Sequence, residues 1–274
     1  MPIFDFLLGT PDIHHLQTKS DVKGIIRALS FHKDAQIRTE AAWALGALKD
    51  ARALHPLLQS INDPKKTVCQ ASVEALGQLG QPDAIAPLAI LFKDRIQSSS
   101  DTPIRLSEIP YLKIILKALG EIGGEKGADA LVECLASLFL RRTWETERKQ
   151  FEELISVLLQ KIGPPAVPSL IRGMEIQENR FLFFLEHLLG EFGPEIFPQL
   201  TEALNQAQDI RIFASIARIM NATDKERSEP ILREAMTNPR LHLWAINNLP
   251  VPPSQQTIDR LLLDLHNKNF EIRT

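Results

Sequence analysis

The sequence predicts an all-α fold, an α-solenoid of about seven to eight stacked helical hairpins, on three observations. A short apolar element closed by glycine recurs at near-regular spacing, a second amphipathic stretch follows each copy, and proline stands near the start of most of those second stretches. Composition agrees: apolar residues make up 44% of the chain but aromatics only 6%, with Leu, Ala and Ile dominant, a profile that favours helices over sheets.

The chain opens with a hairpin, TPDIHHLQTKSDVKGIIRALSF, in which Asp21 is the expected N-cap and Val22, Ile25, Ile26 and Leu29 share one face. Residues 1–33 are expected to cap the first open end of the array. The repeated element then reads Ala44-Leu45-Gly46-Ala47-Leu48, Ala75-Leu76-Gly77-Gln78-Leu79-Gly80, Ala118-Leu119-Gly120-Glu121-Ile122-Gly123, Leu158-Leu159-Gln160-Lys161-Ile162-Gly163 and Leu188-Leu189-Gly190-Glu191-Phe192-Gly193, with weaker copies near Ile216 and Ile246. Taking the second residue as anchor, the spacings are 31, 43, 40, 30, 27 and 30 residues, so the unit is near thirty with two insertions. Each copy closes a helical stretch, and the glycines are read as helix ends: Gly80, Gly123, Gly163 and Gly193 supply the positive φ that a helix C-terminus takes.

The second helix of each hairpin is expected over Ala53 to Ile61, Ala84 to Phe92, Ala128 to Phe139, Ala166 to Met174, Glu195 to Leu204, Ser228 to Met236 and Thr257 to Leu265. Pro56, Pro87, Pro168, Pro198 and Pro230 fall in first turns, where the missing N–H would have had no partner anyway. A hairpin this short cannot bury its own apolar face, so neighbours must stack, and one elongated domain over 1–274 follows. The closing NKNFEIRT repeats the entry to a first helix seen in HKDAQIRTEAAWALG, so the last unit is expected to be cut short or frayed.

The segments IRTEAAWALGALKDARALHPLLQSIND and QASVEALGQLGQPDAIAPLAILFKD resemble HEAT-like repeats of the phycobilisome-lyase type, and the resemblance extends over roughly residues 21 to 266. It implies a right-handed superhelix with first helices on the convex side and second helices on the concave side. It also implies the work of a scaffold or adaptor or, less often, an enzyme.

Departures from the repeat are the better guide to function. Insertions lie near 95–110, with a Ser cluster and two prolines, and near 140–150, where Arg141, Arg142, Arg148 and Lys149 bracket Trp144. Glu145, Glu147, Glu152 and Glu153 offer i,i+4 partners that would neutralise those cations. Six residues before its anchor, Phe183 is apolar where most copies are polar, and it is expected either at solvent or against a partner, with Phe181, Phe184 and Leu185 buried, or else buried itself by a slip in helical register. Trp43 and Trp244 share a column at a partly exposed helix edge. Along the second helices His55, Gln59, Glu133, Ser137, Ser169, Arg172, Gln199, Glu202, Arg233 and Arg260 form a mixed-charge strip. The expected partner-binding residues are His55, Gln59, Glu133, Ser137, Arg141, Arg142, Trp144, Arg172, Phe183, Gln199 and Arg233.

Several chemistries are disfavoured. The net charge of -3 lacks the footprint of a protein that wraps nucleic acid, and a HEAT-like DNA-repair glycosylase would need a cationic groove. Cys69 and Cys134, in helical apolar contexts, can build neither a disulfide framework nor a four-ligand zinc site. The seven histidines are scattered with no HExxH spacing, Glu186-His187 reverses the His-Glu pairs of the repeat-built hydroxylases, and no phosphate loop or nucleophile elbow is present. No metal, cofactor or catalytic residue is therefore assigned. No basic leader or long apolar run appears, and the chain reads as cytoplasmic, without a membrane span. The expected function is to hold another protein or peptide on the concave, second-helix face. A bilin lyase, or a lyase-like chaperone of a pigment-bearing subunit, is the alternative that the resemblance implies, and nucleic-acid binding is the second alternative.

Overall fold

A computed structural model describes residues 11–30, 33–97, 106–140, 145–235 and 259. Among them every regular element is helical. The chain packs as two units, Met1–Ser169 and Leu170–Thr274.

In the first unit α1 (Ile13–Thr18) and α2 (Val22–Leu29) form the opening hairpin. Asp21 caps α2, its carboxylate accepting the Gly24 N–H at 2.9 Å. Val22, Ile25 and Leu29 are buried as expected, while Ile26 is only partly covered. Then come α3 (Ala35–Leu48) with α4 (Leu54–Ser60), α5 (Lys66–Leu79) with α6 (Ile85–Gln97), α7 (Ile109–Ile122) with α8 (Gly124–Phe139), and α9 (Glu145–Ile162). Helix α10 (Val167–Gly173) spans the division. The second unit holds α11 (Asn179–Glu191) with α12 (Phe197–Gln206), and α13 (Ile210–Thr223) with α14 (Lys225–Ala235).

The anchor column is the spine of both units: Leu45, Leu76, Leu119, Leu159, Leu189 and Ile216 are all 0% exposed. Helix ends follow the glycines, with φ of 67° at Gly80, 68° at Gly123, 78° at Gly163 and 75° at Gly193. In the first copy Lys49 takes the same left-handed place at φ 53° without glycine's freedom.

Four expectations are corrected. Short 3-10 turns, Ala51–Ala53, Pro82–Ala84, Pro164–Ala166 and Gly193–Ile196, lead into α4, α6, α10 and α12. Each turn buries one small or branched residue, Ala53, Ala84, Ala166 or Ile196, beneath the hairpin bend. Helix α14 starts at Lys225, three residues early, so Pro230 lies inside it and one intrahelical hydrogen bond is missing there. The first insertion is partly helical, because α6 runs on to Gln97 to bury Ile96, and Arg95 stacks over the Tyr111 ring at 5.1 Å. Glycine is not confined to helix ends: Gly46, Gly77, Gly120 and Gly190 sit inside α3, α5, α7 and α11.

Candidate partner-binding surfaces

The helical glycines follow each anchor by one residue, and three of them are contact points between successive first helices. A Cβ built on Gly46 would lie 2.7 Å from the Ala75 Cα, one on Gly77 2.8 Å from the Ala118 Cα, and one on Gly120 2.6 Å from the Leu158 Cδ2. The helices close on one another only because the hydrogen is there. Gly190 has the same place in α11, yet nothing lies within 4 Å of a Cβ built on it. Ser215 occupies the column that supplies Ala75 and Ala118 in the first unit, and its hydroxyl donates to the Glu186 carboxylate, which Arg218 also binds.

The opening beside Gly190 is a groove of ≈ 530 Å³ between α11 and α13. Phe183, Gly190, Ile219 and Ala222 give it an apolar lining, while the Glu186–Arg218 pair and the His187–Glu191 pair, the latter 3.3 Å apart, stand along it. Phe183 is 63% exposed. Phe181 and Leu185 are buried as expected, but Phe184 is only partly covered.

The first unit has a counterpart on its first helices, a groove of ≈ 550 Å³ among α1, α3 and α5. Trp43, 49% exposed, stands in it, and its indole N–H donates to the Glu74 carboxylate at 3.0 Å. The exposed edge expected for Trp43 is present.

The second-helix strip is dispersed over several hairpins. On α4, exposed His55 and Gln59 pair at 3.1 Å, and Gln59 borders a smaller hollow of ≈ 270 Å³ beside Asp63. On α8, Glu133 takes the Lys93 ammonium of α6 at 2.6 Å, and the Ser137 hydroxyl turns back to the Cys134 carbonyl. Arg172 is exposed at the end of α10, in a polar cleft of ≈ 510 Å³ with Glu175, Gln206, Asp209 and Arg211. Gln199 is half-buried on α12, and Arg233 on α14 binds Glu229 at 2.8 Å. Ser169 does not belong to the strip: it is 1% exposed, and its hydroxyl donates to the Glu125 carbonyl at 3.3 Å. Arg141, Arg142, Trp144 and Arg260 lie outside the described residues. Arg148 is buried over the Phe139 ring at 4.5 Å and pairs with Glu152 at 2.7 Å, the i,i+4 neutralisation offered by the sequence. Glu40, Gly190, Arg218 and Ile90, the last 58% exposed on α6, are surface features that sequence reasoning did not single out. Only Gly190 carried a signal, its place in the repeat.

Charge is locally balanced. Hydrogen bonds from Arg52 bring the Asp50 carboxyl to about 2, and those from Arg211 hold Asp209 below the usual carboxylate range. Burial works to raise Asp63, but Arg38, at 2.7 and 2.9 Å, and the Lys65 N–H outweigh it and hold the carboxyl low. Burial pushes the Cys134 thiol up to about 12, so it stays protonated at neutral pH and is a poor nucleophile.

The family model for HEAT repeats matches residues 22–99, and that for the PBS lyase HEAT-like repeat matches residues 114–137. Repeats of the HEAT type are thus matched over 22–99 and 114–137. No curated protein matches the chain. Among solved structures, this chain is similar to a protein of the CpcE–CpcF complex of phycocyanin lyase from Nostoc sp., with 16% identity over 81% of this chain and 85% of that one and a TM-score of 0.41. It is also similar to two engineered proteins. One is 18% identical over 95% of this chain and 78% of its own, with a TM-score of 0.40. The other is 16% identical over 80% and 96%, with a TM-score of 0.38. Among the described residues no single helix is long and apolar enough to cross a membrane.

Proposed function

We propose that this HEAT-repeat protein is a scaffold that holds another protein, with the α11/α13 groove as the anchoring point and Arg172, in the polar cleft of the same unit, as part of a wider contact surface. The observation that supports this most directly is Gly190. In the first unit the equivalent glycines are filled by the next helix, whereas at Gly190 the space is left for a side chain from elsewhere. An apolar floor with a half-free aromatic, bordered by paired charges, has the anatomy of an interface core and its polar rim. The pairs beside the floor also discriminate, since a partner that leaves Glu186 or Arg218 desolvated without a hydrogen bond is rejected.

The test uses the full chain. A partner captured from native lysate and identified is titrated against wild type, Phe183→Ala and Gly190→Leu. Both variants are expected to weaken it about tenfold or more, because one removes the anchor and the other fills its socket. Unchanged affinity in both, with folding intact, would sink the groove assignment. A lyase of pigment would instead change bilin absorbance on mixing, and a nucleic-acid binder would lose DNA or RNA steeply with added salt. The scaffold reading expects neither response.

A further inference from the structure

We propose that the Trp43 groove is a second docking site, and that its occupant is a basic segment of a partner protein whose Arg or Lys side chain lies against the indole between Glu40 and Glu74. The site is built from residues of the first unit and the α11/α13 groove from residues of the second, so its failure would leave that reading untouched.

Three features of the groove converge. The indole is about half exposed, and its N–H is tied to Glu74 across to α5, so the ring is held in place by the protein before anything binds. Glu40 and Glu74 both line the groove, and neither takes part in an ion pair among the described residues. Their recorded partners are neutral donors, the Gln36 amide at 3.0 Å and the indole itself. The lining contains no Lys or Arg, and His14 is its one other titratable group. The α11/α13 groove differs on this point, since Arg218 already answers Glu186 there. The Trp43 groove therefore presents two formal negative charges and a π face with no cation supplied from within. An aromatic face flanked by carboxylates attracts a guanidinium or ammonium through the ring quadrupole and charge-assisted hydrogen bonds together. Ile13, Ala44 and Ala47 complete the lining, so a segment with an apolar residue beside its cation fits better than a bare inorganic cation.

The probe is a short fluorescein-labelled peptide of alternating Arg and Leu, followed by anisotropy against the full chain. Counterparts carry Glu or Gln in place of Arg. Only the Arg peptide is expected to bind, with affinity falling as salt is added. Trp43→Ala, and separately the double variant Glu40→Gln with Glu74→Gln, are expected to weaken it about tenfold or more. The carboxamide oxygen that Glu74→Gln introduces can still accept the indole N–H, so the double variant keeps the ring in place while removing charge, and circular dichroism melting confirms that it folds. Phe183→Ala is expected to leave binding unchanged. Equal binding of the Glu peptide, full binding to the double carboxamide variant, or loss on Phe183→Ala would each overturn the proposal. So would protein self-association that depends on Trp43 in place of peptide binding, because the occupant would then be a second copy.

Discussion

The two units use one sequence signature to opposite ends. In the first, Gly46 and Gly77 are pressed against Ala75 and Ala118, and the helices lock. In the second, Gly190 faces open space, and a polar cluster of Glu186, Ser215 and Arg218 joins α11 to α13. The loops show the same contrast. Arg38 reaches out of α3 to bind Asp63 of the next loop with two hydrogen bonds, both side chains about nine-tenths buried. The corresponding place in α11, seven residues before the anchor, is Leu182, and Asp209 is bound instead by its own neighbour Arg211. In the loops, then, the first unit has a buried ion pair from helix to loop where the second has a local, exposed one.

The largest effect expected from this contrast is at Arg38. Arg38→Ala leaves the Asp63 carboxylate buried without its partner and should cost about 3–5 kcal/mol in chemical denaturation. Arg211→Ala removes an exposed pair and should leave the midpoint unmoved. Acid provides an independent check. The folded protein holds Asp63 below its unfolded value, so the tie stabilises fully above the ordinary carboxylate range and is lost as pH falls through the depressed pKa. The stability gap between wild type and Arg38→Ala should therefore narrow on acidification. A gap independent of pH would show that Arg38 acts through packing alone.

Next come the glycines, where sign matters more than size. Gly77→Ala forces the α5 and α7 backbones apart and should cost about 1–3 kcal/mol. Gly120→Ala should cost less, since the nearest obstruction is the Leu158 Cδ2 and no backbone atom, although the Leu158 Cβ and Cγ at 3.1 Å must also give a little. Gly190→Ala meets nothing and should stabilise by about 0.5–1 kcal/mol through helix propensity alone. A destabilised Gly190→Ala would mean that α11 and α13 close in solution, and the groove would be lost with the comparison.

A smaller effect is expected within the column that ends the first helices. Lys49 adopts the left-handed helical conformation that Gly80 takes in the next copy, at a place where the following three copies also have glycine at positive φ, so Lys49→Gly should raise stability by about 1 kcal/mol. No change would mean that the Lys49 side chain makes a compensating contact in the folded protein.

The repeat was legible because its evidence is one-dimensional: anchors every thirty or so residues, all six described ones fully buried, and glycine at four of the first five helix ends. Exposure of Phe183 and Trp43 was legible for the same reason, as odd members of a column. The groove beside Gly190 was not, because the sequence gives the glycine but not the distance to the next helix, which depends on Ser215 and Glu186 some thirty residues apart. The Trp43 groove needed three helices brought together. The second-helix strip was overdrawn at Ser169, where a polar side chain found a carbonyl inside the fold.

The smallest effect is expected at Phe183, and it is the sharpest test of what the second unit is for. Large apolar side chains normally reward burial with stability, and Phe→Ala in a core costs about 3–5 kcal/mol. At 63% exposure Phe183 has little of that to lose, so Phe183→Ala should shift the denaturation midpoint by less than about 0.5 kcal/mol. Its ring lines an open groove without closing it, which makes the side chain costly for solubility and nearly idle for folding. The docking role proposed for the groove accounts for that profile, because a partner's contact would then cover the ring. If Phe183→Ala destabilises by several kcal/mol instead, α11 packs its ring inward in solution, and the second unit is then held together much as the first is.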